Sequence, residues 1–374
     1  MKILSLHWGF SHGGVATYAE NIEPIGSLPS VKLRSLCVLP NFRDINQKSL
    51  DSLDKSIIQI NKLSSLSWTF EVRKYIAKEQ PDIIFTHGFN AHFVSLLTTI
   101  LLPLKVKRIV SYHGDYFPNT TKQRFMAPIY NGFTNWFLRK KADGIICVAH
   151  HTVQKLLKKN IPDYKFAVVH NGIPSYKSLE DTRETLRSEW GYDESHIIIC
   201  IASRHEKIKG LEYLIEAFSI VSPKFSELRL VMIGEGTQTH ALKTLVALKK
   251  LESRIQFVGQ RSDVADCLSA TDIFALPSLS EAHSIGLLEA MRAGKAIIAT
   301  EIEGNIETVS DNKEALIVPV KDASSLSVAI EKLLKDTDLR ARLGKAASKR
   351  FNSEFTVEMM RSKTTQLLKD FSNR

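Results

Sequence analysis

The 374-residue sequence holds only four cysteines, Cys37, Cys147, Cys200 and Cys267, and no two of them are spaced C-x-x-C. That scarcity excludes a disulfide framework and a zinc cluster; three of the four sit in apolar runs such as Gly144-Ile145-Ile146-Cys147-Val148, as small buried hydrophobes of a reducing compartment do. Glycine and proline, at 18 and 12 residues, are too few for a fibrous or low-complexity chain. The apolar stretch from Phe93 to Leu104 is only 12 residues long and contains Pro103, so it is too short to span a bilayer and reads as a buried helix. Met1 to His7 is likewise too short for a signal peptide, which makes a cytoplasmic location the expectation. Neither a P-loop nor a G-x-G-x-x-G fingerprint occurs, which argues against a P-loop nucleotidase and a dinucleotide dehydrogenase. No helix-turn-helix, RNA-recognition or zinc pattern is visible, so nucleic acid is not an expected partner.

What is present is ordinary globular material, 44% hydrophobic and 24% charged, long enough for two domains. The net charge of +10 is unevenly shared. Up to residue 175 there are 22 Lys and Arg against 11 Asp and Glu, a net of +11, whereas the remainder holds 28 against 29, a net of -1. A basic first half beside a neutral second half suits an anionic ligand or an anionic membrane surface; solvated lysines serving solubility are the other reading. The stretch from Phe117 to Lys141 mixes Phe125, Met126, Tyr130, Phe133, Trp136 and Phe137 with Lys122, Arg124, Arg139, Lys140 and Lys141. Such a segment is either a peripheral membrane contact or an internal helix whose basic end complements its own dipole.

Short apolar runs alternate with longer amphipathic segments throughout. Lys2 to His7, Val31 to Leu39, Asp82 to Thr86, Val106 to Tyr112, Asp143 to Val148 and Phe166 to His170 predict one series of strands. His196 to Ala202, Leu228 to Ile233, Arg254 to Val258, Asp272 to Leu276, Ala296 to Ala299 and Ala315 to Val318 predict a second. Near-continuous apolar runs are what strands buried on both faces require, so two α/β, Rossmann-like domains with parallel sheets are expected. The connection between them is placed in Asn171 to Ser195, which has Pro174, a charged stretch and no strand signal. The expected division is 1–172 and 173–354, with the tail 355–374 read as a helix that returns to the first domain, using Phe355, Val357, Met360, Leu367 and Leu368 to pack.

Three clusters place anion-binding groups at the carboxyl end of a predicted strand, the edge where ligands bind in open α/β sheets. The first is Gly13-Gly14, between the opening strand and a helix, where backbone N–H groups can approach an anion. The second is Arg204 with Lys209-Gly210, two cations able to hold a diphosphate. The third runs from Pro277 to Gly294: a loop carries Glu281, a helix starts near Ser284, and Glu289 lies in its first two turns. Two acids flanking a helix start suit a nucleotide sugar, because carboxylates accept hydroxyl hydrogen bonds while the helix start attracts phosphate.

The order of Gly13-Gly14, His113-Gly114-Asp115, Asn171-Gly172-Ile173, Arg204 with Lys209-Gly210, and Glu281 to Glu289 with seven residues between resembles the retaining glycosyltransferases of family 4. The resemblance implies the GT-B fold, two Rossmann-like domains facing a central cleft, and sugar transfer from a nucleoside diphosphate donor to a glycan or lipid-linked acceptor with retention of configuration. It implies that Arg204 and Lys209 bind the donor diphosphate, Glu289 the ribose and Glu281 the donor sugar. His283, Ser284 and Ile285 would offer backbone N–H groups to sugar and phosphate, Gly13 and Gly14 would lie near the same diphosphate, and His113 would contact the transferred sugar. Where the family commonly has Gly after the first acid, this sequence has Ala282. With the cations and helix starts stabilising the leaving charge, and no D-x-D-like acidic site, no cofactor or divalent metal is expected. Cell-surface polysaccharide or lipopolysaccharide assembly is the family's usual work.

Two other classes fit part of the pattern. A nucleotide-sugar epimerase of the same fold would bind the same donor with similar groups. A non-catalytic basic module for membrane or nucleic acid would account for the charge asymmetry but not for the three clusters.

Overall fold

A computed structural model of the chain describes residues 1–8, 14–27, 30–40, 55–60, 67–99, 105–114, 121–177 and 181–374. They form two compact units, one of Met1–Gly172 with Val357–Arg374 and one of Ile173–Thr356.

The first unit is built on a seven-stranded parallel sheet: β1 (Lys2–Trp8), β2 (Lys32–Pro40), β3 (Lys55–Ile60), β4 (Ile83–His87), β5 (Lys107–Tyr112), β6 (Gly144–Cys147) and β7 (Phe166–Val168). Their order is β3-β2-β1-β4-β5-β6-β7. Five of these strands are the expected runs with shifted ends, and β7 stops two residues short of His170. Strand β3 was not expected: Lys55-Ser56-Ile57-Ile58-Gln59-Ile60 lies at the sheet edge, pairs with β2 alone, and so needs no unbroken apolar run.

The second unit carries six parallel strands, β8 (Ile197–Ala202), β9 (Leu228–Ile233), β10 (Ile255–Gly259), β11 (Ile273–Leu276), β12 (Ala296–Thr300) and β13 (Ala315–Val318), in the order β10-β9-β8-β11-β12-β13. In both sheets the first strand of the unit is central and the order reverses beside it. Such a reversal leaves a crevice outside the strand ends for a ligand.

Helices cover the sheets by the expected spacing. In the Leu211–Val221 helix, Leu211, Leu214, Ile215, Phe218 and Val221 are buried in the core of the second unit. All four cysteines are buried. Most of the segment expected to connect the domains is folded: Thr182–Glu189 is a helix of the second unit. Its Arg187 is only 1% exposed and is held by the Asp272 carboxylate at 2.8 Å and by the carbonyls of Ala270, Asp193 and His196. A buried guanidinium needs that many acceptors, and charge in the sequence concealed the helix's buried side.

The tail divides at its start. Phe355 is buried in the core of the second unit, while Val357–Asn373 is a helix of the first unit that buries Val357, Met360 and Leu368 and leaves Leu367 half-buried. The apolar Phe93–Leu104 stretch forms the end of the Phe89–Thr99 helix, in which Val94 is buried and Phe93 exposed; residues 100–104 lie outside the described residues. Thr121–Lys140 is a helix whose last carbonyls are capped by Lys165, with Nζ donating to Arg139 O at 2.9 Å and Ala142 O at 2.6 Å. The basic residues Arg139, Lys140 and Lys141 are exposed instead. Among the described residues no helix is long and apolar enough to cross a membrane.

Candidate active site

The second unit gathers four loops at the carboxyl ends of β8, β9, β11 and β12. After β8 the chain runs through Ser203–Glu206 into a tight turn at Lys207–Lys209 and stops at Gly210, whose φ of 59° is in the left-handed region. A Cβ at Gly210 would collide with Pro277 O, so glycine is what lets this loop lie against the loop after β11. Leu279 N donates to Ile208 O at 2.8 Å across the same junction. The result is that the second and third sequence clusters, about 70 residues apart, share one strand-end platform.

On that platform Lys209 Nζ meets Glu281 Oε1 at 2.6 Å, with the two side chains 17% and 10% exposed. Ser278 Oγ donates to the same carboxylate oxygen at 2.7 Å. Lys209, expected to hold the diphosphate, is therefore engaged with the first acid, and the partnership fixes the Glu281 carboxylate in place. Arg204 is exposed and makes no ion pair among the described residues.

The helix that follows starts where expected. Ser284 is its N-cap, accepting from Leu287 N, and the helix runs from Ile285 to Arg292. Its leading N–H groups have no carbonyl partner within the helix, so they form an anion-binding end. His283 is buried, with its ring 5.4 Å from that of Phe355. Glu289 is half-buried, and desolvation pushes its carboxyl up to about 7 against the opposing pull of Arg292. Arg292 is in turn positioned by Pro174 O at 2.8 Å and lies over the Tyr176 ring.

A fourth element escaped the sequence reading. Gly234-Glu235-Gly236-Thr237 follows β9 and is laced to the β8 loop: His205 N donates to Glu235 O at 2.9 Å, and Thr237 Oγ1 donates to Glu206 Oε2 at 2.7 Å. Gly234, at φ 117°, abuts Ser203 O so closely that a side chain would not fit. The readable signal was a glycine pair directly after a strand that neighbours β8.

In the first unit, Gly14 opens the Gly14–Ile22 helix after β1, while Gly13 and Asp115 lie outside the described residues. His113 follows β5; its Nε2 is 3.2 Å from Ser111 Oγ and its ring packs edge-on against Tyr18 at 4.7 Å. Burial lowers its pKa to about 4, so the imidazole is neutral at physiological pH. Asn171 is buried, and Gly172 joins the first unit's own helices through Asn21 Nδ2 and Met360 Sδ.

Comparison with known proteins places this arrangement. The family model described as Glycosyltransferase Family 4 matches residues 57–175, and that described as Glycosyl transferases group 1 matches residues 182–350. A Campylobacter jejuni relative, N,N'-diacetylbacillosaminyl-diphospho-undecaprenol alpha-1,3-N-acetylgalactosaminyltransferase, is 29% identical over 353 residues, 90% of this chain and 92% of its own. N-acetyl-alpha-D-glucosaminyl L-malate synthase of Bacillus anthracis is 24% identical over 301 residues, 79% of this chain and 77% of its own. Among solved structures, Anabaena HepE in complex with UDP-glucose superposes with a TM-score of 0.87 at 20% identity, covering 99% of this chain and 100% of that one. A Rickettsia africae glycosyltransferase superposes at 0.79 with 23% identity, covering 99% and 98%.

Two Rossmann-ordered units with these neighbours define a GT-B glycosyltransferase. The two matched segments together cover most of the sequence, and the chain belongs to glycosyltransferase family 4.

Proposed function

We propose that this enzyme transfers a sugar from a nucleoside diphosphate donor to a hydroxyl of a glycan or lipid-linked acceptor, with retention at the anomeric carbon and without a divalent metal. The observation that carries the reading is the joining of the Lys209–Glu281 pair to the start of the Ile285–Arg292 helix on one strand-end platform. In the reaction the bond from the anomeric carbon to the diphosphate oxygen breaks, and a bond to the acceptor oxygen forms. Negative charge builds on the leaving diphosphate, and the acceptor proton leaves with it.

Arg204 and the free N–H groups of the helix start would stabilise that charge, which is where catalysis gains most. Glu281, held by Lys209 and Ser278, would orient sugar hydroxyls through hydrogen bonds it accepts. Glu289 would accept both ribose hydroxyls. His113, neutral, would take a hydroxyl proton of the transferred sugar as a hydrogen-bond acceptor.

The lipid-diphosphate acceptor named for the Campylobacter relative, and the UDP-Gal:alpha-D-GlcNAc-diphosphoundecaprenol alpha-1,3-galactosyltransferase of Escherichia coli at 25% identity, support an acceptor of that kind and a role in surface polysaccharide assembly. A lipid acceptor calls for a membrane surface. The Thr121–Lys140 helix presents Phe125 and Ile129, 79% and 61% exposed, in its first half and ends at the exposed basic residues Arg139-Lys140-Lys141. Apolar side chains to insert and cations to meet lipid phosphates fit peripheral attachment to an anionic leaflet.

The test is acceptor dependence. Nucleoside diphosphate release from a donor panel should require a lipid-diphosphate sugar or glycan acceptor and yield a linkage with the donor's own anomeric configuration. Donor conversion at full rate with no acceptor present would support the epimerase instead.

A further inference from the structure

One face of the first sheet carries a row that its apolar strands do not call for. Residues alternate between faces along a strand. Leu4, Leu6, Leu36 and Ile84 enter the apolar cluster on one side, whereas Ser5, His7, His87 and Ser111 are polar and 1 to 5% exposed on the other. The strands concerned, β1, β4 and β5, are consecutive neighbours, and His87 and Ser111 are paired in register. The polar atoms form a continuous chain. His7 Nε2 lies 2.8 Å from Ser5 Oγ, Ser5 Oγ lies 3.0 Å from His87 Nε2, His87 Nδ1 lies 2.7 Å from Ser111 Oγ, and Ser111 Oγ lies 3.2 Å from His113 Nε2. Buried polar groups are costly unless every proton has an acceptor, so the chain can be read by counting protons.

His87 and His113 are held neutral by burial, with neighbouring imidazoles adding to the effect on His87. Each ring therefore has one N–H and one lone pair. Ser111 has one proton and two lone pairs, and it also reaches Thr86 O at 3.5 Å. Whether it donates to Thr86 O or to His87 Nδ1, it has nothing left to give His113, whose Nε2 must then be the donor. Only by turning its proton to His113 Nε2, across the 3.2 Å contact rather than the 2.7 Å one, does Ser111 reverse that tautomer. Among the described residues no hydrogen bond reaches His113 Nδ1.

We propose that Ser111 and His87 are positioning residues for His113: they hold its proton on Nε2, turned into the sheet, and leave Nδ1 as the acceptor for a hydroxyl of the transferred sugar. The role of Nδ1 rests on His113 facing the sugar, as in the reading above. Ser5 and His7 extend the chain from His87 across β1. His113, one residue past the end of β5, is the member of the row that lies beyond its strand.

The test is two-dimensional long-range 1H–15N spectroscopy of the full chain labelled on histidine, with His113 assigned by the signals lost in His113→Gln. The wild type should show His113 as the Nε2–H tautomer; an Nδ1–H pattern overturns the proposal whatever the variants do. Ser111→Ala should shift His113 to a mixture of tautomers and Ser111→Thr should restore it. In the acceptor-dependent transfer assay Ser111→Ala should lower kcat roughly 10- to 100-fold with donor KM nearly unchanged, as expected when a contacting group is misplaced. An unchanged tautomer in folded Ser111→Ala, or a loss confined to KM, contradicts it. The spectra need no ligand, so a chain that showed the tautomer and bound no nucleotide would defeat the proposed function while leaving the hydrogen-bond chain in place.

Discussion

Lys209 and Glu281 stand 72 residues apart in sequence and 2.6 Å apart in the structure, one after β8 and the other after β11. Those strands are adjacent at the point where the sheet order reverses, so the pair marks the crevice and gives it a fixed carboxylate. Because both groups are largely buried, removing one leaves the other uncompensated. Glu281→Gln should cost about 2 kcal/mol of stability, roughly 4–8 °C in melting temperature, and at least about 100-fold in turnover. Replacing both by apolar residues, Lys209→Met with Glu281→Leu, should recover most of the melting temperature and none of the turnover. Recovery of both would show that the pair serves the fold alone.

Glu289 sets a pH dependence whose sign follows from its environment. Its carboxyl is pushed up to about 7, so the folded state holds that proton more tightly than the unfolded chain does, and the ligand-free protein loses stability as pH rises from about 4.5 towards 7. A ribose diol donating two hydrogen bonds favours the carboxylate, so nucleotide affinity should move the other way. Between pH 6 and 8, calorimetric affinity for whichever nucleoside diphosphate the wild type binds should rise about tenfold more in the wild type than in Glu289→Gln, in which the phosphate's own titration is retained. Parallel pH profiles in the two proteins would remove Glu289 from the ribose.

Arg204 is exposed at the end of β8, with no ion pair among the described residues to lose. Arg204→Ala should therefore melt within about 1 °C of the wild type. Turnover should fall by orders of magnitude, since in the proposed role Arg204 meets the leaving diphosphate with a contact that strengthens in the transition state. Near-normal turnover in the folded variant would cancel the assignment.

The membrane reading predicts binding to phosphatidylglycerol-containing vesicles that weakens as salt rises. Inserted aromatic and aliphatic side chains contribute on the order of 1 kcal/mol or more each, so Phe125→Ser with Ile129→Ser should lower vesicle affinity at least about tenfold. Salt-independent sedimentation, or none, would leave the helix as an ordinary exposed surface.

Much of this arrangement is legible in the sequence because apolar runs that end in glycine or charge mark strand ends, and strand ends are where these sheets bind. Thus Arg204, Lys209, Glu281 and Glu289 could be placed on one edge before any coordinates. Strand β3 was hidden because an edge strand pairs on one side and tolerates Lys55, Ser56 and Gln59. The Thr182–Glu189 helix was hidden because Arg187 reads as solvent-facing until Asp272 and three carbonyls are seen around it. The Ser5–His7–His87–Ser111 row was missed for a related reason: serine and histidine inside strands carry no periodic signal, and only the pairing of β1, β4 and β5 brings them into a line. Lys209 was legible as a cation, but its acid partner was not, since nothing in a sequence reports which loops touch.

A nucleoside diphosphate held by the second unit's strand-end platform is what every proposed residue role requires. Thermal melting of the full chain with millimolar ADP, CDP, GDP, UDP and dTDP measures that directly, because a ligand present at about 100 times its Kd adds roughly 2.7 kcal/mol to the folded state. One of the five should raise the melting temperature of the wild type by several degrees and leave Arg204→Ala and Glu289→Ala nearly unmoved. No shift with any nucleotide, or an equal shift in both variants, would contradict it.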